Sequence, residues 1–264
     1  MKKFAAIGFV FILCVGMLTG CGSYKADEST IFVLKNGKIV TTDVEAFDED
    51  TYEKNDFEDY VNETIDDYTA ENGKNTVKLK SLKVKDGKAN LTLEYKSAED
   101  FGSFNGIELF AGSMAEALAA GYKFDVQFVS VKKGSVEDKT DASEFMDDDK
   151  LKVVVVKENT CVNVPGTILY VSAENVALKD KSTVSIGNGQ NLLTELESTE
   201  SQDVTETIDG NIVGSTQEDA SVDEDEMLTG TEEPTEKIFD FGNETAKNPA
   251  SSEFSNIYTY IIYK

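Results

Sequence analysis

The chain has 264 residues with 50 acidic and 25 basic side chains, a formal charge of −25; such a surface repels nucleic acid and anionic lipid headgroups, which argues against a nucleic-acid partner. Histidine, arginine and tryptophan are absent. That excludes an imidazole general base, zinc sites built on histidine, a Ser-His-Asp triad and a bidentate guanidinium clamp, and removes the largest flat stacking surface.

In chain order, Lys2 and Lys3 precede an uncharged run from Phe4 to Leu18, the charge and hydropathy order of a secretory signal. As a helix that run rises roughly 23 Å, short of the hydrocarbon thickness of about 30 Å, and no basic stop-transfer cluster follows. Leu18-Thr19-Gly20-Cys21 closes the segment. These four residues resemble the lipobox of bacterial lipoproteins. The resemblance implies cleavage between Gly20 and Cys21 and a diacylglyceryl thioether on Cys21, hence a protein lipid-anchored at the cell membrane and facing the extracytoplasmic side. The alternatives are an ordinary signal peptide, in which Cys21 merely follows the cut, and a retained membrane-spanning helix. With residues 1–20 removed, the formal charge becomes −27 and residues 21–29 read as a polar tether. Cys14 leaves with the signal and Cys21 is modified. Cys161 is then a single thiol without a disulfide partner, read as a small buried apolar residue.

Residues 30–190 read as one α+β domain, a largely antiparallel sheet of hairpins with one longer and one or two short helices packed on it. Asn36-Gly37 between Ile31-Phe-Val-Leu and Lys38-Ile-Val predicts a hairpin over about 30–46 with a type I′ turn. Phe57, Tyr60, Val61, Ile65 and Tyr68 follow at helical spacing, with Asp48 or Asp50 as cap and Gly73 as stop. A second hairpin turns at Asp86-Gly87. Its outgoing strand changes phase between Leu79 and Leu82, which predicts a bulge near Lys80–Ser81. Lys78, Lys80, Lys83, Lys85 and Lys88 make this hairpin a basic patch in an acidic chain. It is read as a solvated outer face or, functionally, as a contact surface for an anion or for the chain's own acidic segment.

That hairpin, Ser81-Leu-Lys-Val-Lys-Asp-Gly-Lys-Ala-Asn-Leu-Thr-Leu, is similar to the central hairpin of the GerMN domain of bacterial lipoproteins linked to spore germination; no functional residue follows from the likeness. Ser113-Met-Ala-Glu is a capping-box pattern before a short helix at about 114–120. Strands are expected at about 124–132, 151–157, 160–164 and 167–172, the last pair joined at Pro165-Gly166, with a helical turn at 141–145 between them. Val153–Val156 is apolar in both alternations and predicts a strand covered on both faces.

Residues 191–250 read as an acidic disordered segment, since 194–236 carries fifteen acidic side chains and no lysine. Residues 251–264 recover a β-branched and aromatic pattern, and 254–263 are expected to return and complete the sheet.

No catalytic residue, metal site or cofactor is assigned. Ser130-Val-Lys-Lys matches an S-x-x-K motif but lies in a strand pattern; no calcium loop has its ligand order; Gly187-Asn-Gly189 is a turn signal. The expected function is a non-catalytic binding or interaction module, anchored to the membrane by lipid and engaging a protein or glycan partner. The rival readings are a carboxylate-dependent hydrolase of glycans, which needs two acids roughly 5–9.5 Å apart, and a solute-binding receptor, which needs an apolar pocket.

Overall fold

A computed structural model describes residues 24–202 and 257–264. The fold is α+β and mostly antiparallel, and its strands form two sheets. The first sheet contains β1 (Thr30–Val33), β2 (Ile39–Ala46), β3 (Val77–Lys85), β4 (Lys88–Tyr95), β9 (Cys161–Asn163), β11 (Glu174–Leu178) and β12 (Thr183–Asn191), in the order β11-β12-β9-β1-β2-β4-β3. The second contains β5 (Leu109–Ser113), β6 (Phe128–Lys132), β7 (Ser135–Thr140), β8 (Lys152–Val156), β10 (Ile168–Ser172) and β13 (Thr259–Tyr263), in the order β5-β8-β13-β10-β6-β7. Among the described residues, β1 with β9 is the parallel pair.

Alternation in both sheets builds the main core. Ile31, Val33, Ile39, Leu93 and Tyr95 from the first sheet meet Val129, Val154, Val156, Val171 and Ile261 from the second. Helix α1 (Lys54–Asn72) adds Phe57, Val61 and Ile65 to that core, and α2 (Ala98–Asn105) adds Phe101 and Phe104. The opposite face of the second sheet carries a smaller core, in which Val153, Val155, Tyr260 and Ile262 lie under Phe124, Phe145 and helix α3 (Met114–Ala119). Val153–Val156 is therefore covered on both faces. β13 lies between β8 and β10, and all five of its residues are buried.

Local chemistry explains most of the elements. The second hairpin turns with both Asp86 and Gly87 at positive φ, and β3 shifts register between Leu79 and Ser81, the expected bulge. Ser113 and Glu116 form the capping box of α3.

Five expectations are corrected, and one helix is additional. At Asn36-Gly37 positive φ occurs at Gly37 alone, and Gly37 N donates to the Leu34 carbonyl, so the loop has one left-handed residue and is not type I′. Asp48 closes its own turn, accepting from Thr51 Oγ1 at 2.6 Å, and α1 starts later, after Glu53. Tyr60 leaves the buried stripe and is 52% exposed. Pro165-Gly166 carries the chain from β9 in one sheet to β10 in the other, so those two strands do not pair. Helix α2 was not foreseen, although Ser97 caps it and Gly106 ends it in the left-handed region. Finally, the segment read as disordered from residue 191 begins with helix α4 (Leu192–Gln202), where Asn191 Oδ1 accepts from Leu193 N and Leu192 is fully buried.

Candidate functional site

The outer face of the first sheet, turned away from the main core, is built from Thr30 and Phe32 on β1, Val40 and Thr42 on β2, Asn90, Thr92 and Glu94 on β4, and Cys161 and Asn163 on β9. Residues 24–29 lie across it as a strap. The Tyr24 ring packs on Phe32 at 5.4 Å between centroids, and Thr42 Oγ1 donates to the Tyr24 carbonyl at 2.7 Å. Ser29 Oγ accepts from Val44 N at 3.0 Å, and the Ser29 carbonyl accepts from Thr160 Oγ1 at 3.0 Å and from Cys161 N at 3.2 Å. The polar tether read for residues 21–29 is thus in contact with the domain from Tyr24 onward.

Glu28 ends the strap on a charge cluster. It pairs with Lys179 and accepts from Cys161 Sγ at 3.2 Å. The lysine and then the thiol hold the Glu28 carboxyl below its usual range. Burial, with the adjacent carboxylate, pushes the Cys161 thiol up, which disfavours the thiolate.

The basic hairpin borders the same face. In register, Lys78 lies opposite Glu94 and Lys83 opposite Asn90, so both belong to the outward row. Glu94 gathers the cluster: Lys38 Nζ lies 2.9 Å and Lys80 Nζ 3.6 Å from its carboxylate oxygens. The Lys38 hydrogen bond, aided by the charges of Lys80 and Lys78, holds the Glu94 carboxyl low. Lys85 sits beside Asp86 at 3.5 Å, both largely in solvent. Among the described residues no carboxylate forms an ion pair with Lys78, Lys83 or Lys88. Of the five lysines read as a patch, Lys78, Lys80 and Lys83 group around Glu94 and Asn90, and Lys85 and Lys88 lie at the turn end.

Two other features were not foreseen. On the inward alternation of β2, Thr41 Oγ1 donates to Asp43 Oδ2 at 3.0 Å, and the neighbouring buried Tyr95 donates to Asn105 Oδ1 at 3.3 Å. Burial raises the Asp43 carboxyl to about 6, with the Glu45 charge adding to it against the Thr41 hydrogen bond. The signal was the alternation Ile39, Thr41, Asp43, obscured because Val40 and Thr42 alternate equally well. The second feature is a groove of about 240 Å³ walled by Tyr258, Ile257 and Val126 and edged by Asp125, Gln127 and Glu174. Tyr258 is fixed there by donating to Glu108 Oε2 at 2.7 Å, which pushes its hydroxyl up to about 12.

Gly20 and Cys21 lie outside the described residues. Among the described residues there is no grouping of three or more acidic or cysteine side chains that could hold a metal, and no helix is long and apolar enough to cross a membrane. Comparison with family models, with curated proteins and with solved structures finds no match.

Proposed function

We propose that this protein is a lipid-anchored extracytoplasmic protein, held at the cell membrane through Cys21, whose two-sheet domain acts as a non-catalytic binding or interaction module. The observation that carries this reading is the junction between motif and fold: Leu18-Thr19-Gly20-Cys21 is followed by a strap packed on the sheet from Tyr24. A body that begins directly after the modified residue needs no further sequence to be displayed at a membrane. Each buried methylene contributes about 0.8 kcal/mol, so two acyl chains on one cysteine give lasting attachment. The partner class is a protein or a glycan. The groove beside Tyr258 supports it, because a fixed aromatic wall with carboxylate and amide edges offers stacking and hydrogen bonds together.

In a lipoprotein-processing bacterium the wild-type chain is expected in the membrane fraction, with an N-terminal peptide that begins at Cys21 and has the mass of a diacylglyceryl thioether. Cys21→Ser should release the protein from membranes. Membrane association that survives this substitution would falsify the anchor. A screen of peptides and glycan oligomers by melting shift tests the module, and Tyr258→Ala should abolish the shift of any true ligand of the groove.

A further inference from the structure

An anchor fixes a point, and the strap fixes which side of the domain is nearest to it. Tyr24 rests on Phe32 and Thr42, on the outer face of the first sheet. Three Cα steps separate it from Cys21, a reach of at most about 11 Å. From β2, strands β4 and β3 lie one and two strand spacings further on, about 10 Å in all. The exposed lysines of β3 are therefore close to where the chain leaves the face.

The acidic groups of this face are largely compensated. Glu28 is paired with Lys179 and Glu94 with Lys38 and Lys80, while the strap carries one exposed acid, Asp27, and one exposed base, Lys25. Lys78 and Lys83 add positive charge with no carboxylate pairing them among the described residues. The chain as a whole remains strongly acidic, and an anionic bilayer repels it. Charges beyond a Debye length of about 8 Å are screened, however, so only the face turned to the membrane weighs heavily in choosing the orientation.

Resting on the anchor reading, we propose that the outer face of the first sheet lies against an anionic bilayer, with Lys38, Lys78, Lys80 and Lys83 toward the headgroups. The lipid supplies the attachment and the lysines set the orientation. The cover of the second sheet, with α3 and the loop through Phe124 and Phe145, then points away from the membrane toward any partner.

Lysine footprinting tests this on the mature chain from Cys21. The chain is coupled through the Cys21 thiol to a maleimide-bearing lipid, while Cys161 is shielded by burial. With vesicles of phosphatidylcholine and phosphatidylglycerol, acylation of Lys78, Lys80 and Lys83 should slow roughly fivefold relative to the protein in solution, the scale of one lysine's attraction to such a surface. Exposed Lys123 and Lys150, on the far cover, should keep their rates. On phosphatidylcholine alone the difference should vanish, and Lys78→Gln with Lys83→Gln should remove the protection of Lys80. Equal rates on both sides overturn the orientation and leave the anchor reading intact, because here the anchor is supplied chemically. A native protein whose Cys21 carries no lipid overturns both.

Discussion

Partial burial makes the charge on Asp43 costly to the fold. Its carboxyl titrates near 6 in the folded chain, against an ordinary 3.8, and burial is the main cause. Below about pH 4 both folded and unfolded states hold the proton and the group contributes nothing. As pH rises from about 4 to about 6 the unfolded chain ionises while the folded chain keeps its proton, so stability is lost across that window and the full penalty stands at neutrality. One pKa unit corresponds to about 1.4 kcal/mol, so Asp43→Asn is expected to stabilise the protein by about 1–3 kcal/mol at neutral pH and by far less at pH 4. Urea unfolding at both pH values measures this, and a gain of equal size at both would rule out ionisation as its source. Tyr95 responds to the same environment, its hydroxyl being raised by burial and by the Asp43 charge. Tyr95 is legible from the clean alternation Ala89, Leu91, Leu93, Tyr95, but Asp43 is not, because Thr41-Thr42-Asp43-Val44 alternates equally well in either phase and only the opposing sheet decides which phase is inside.

The strap is an element held by few contacts, one ring pair and a handful of hydrogen bonds. An aromatic pair contributes about 0.5–1.5 kcal/mol beyond area burial, so Tyr24→Ala should cost about 1 kcal/mol and open the strap roughly fivefold more often. Exposed Lys25 reports that opening, since trypsin should cut there correspondingly faster while cleavage elsewhere keeps its rate. Unchanged cleavage at Lys25 would mean that the hydrogen bonds of Thr42 and Ser29 hold the strap without the ring. Elements of this kind show how far the sequence could be read. The hairpin at Asp86-Gly87, the bulge before Ser81 and the capping box at Ser113 were legible because each is specified by residues within a few positions of one another. Helix α2 carried equivalent signals, Ser97 with Asp100 and then Gly106, yet it lies between two strands in a segment without a long apolar stripe. The strap was illegible because its partners, Phe32, Thr42, Thr160 and Cys161, are chosen by the tertiary fold.

At the scale of the molecule, the division into two sheets depends on pairings remote in sequence: β1 pairs with β9 across 131 residues, and β13 pairs with β8 across 103 or more. Ile261 pairs with Val154 on one side and Val171 on the other, so the second sheet has its centre in the last residues of the chain. Such non-local pairing sets a slow folding step, because loop entropy is lost before the buried contacts form. It also separates two roles for the stretch between α4 and β13. Ending the chain after Gln202 removes the central strand and leaves the edges of β8 and β10 unpaired, an expected aggregate with no cooperative unfolding transition. Halving residues 203–256 while keeping β13 shortens the chain between α4 and β13, and closure entropy alone predicts a stabilisation of about 0.6 kcal/mol. Urea unfolding of the two variants makes the comparison. If the shortened chain instead loses several kcal/mol, residues 203–256 act on the domain through contacts, beyond what loop length explains.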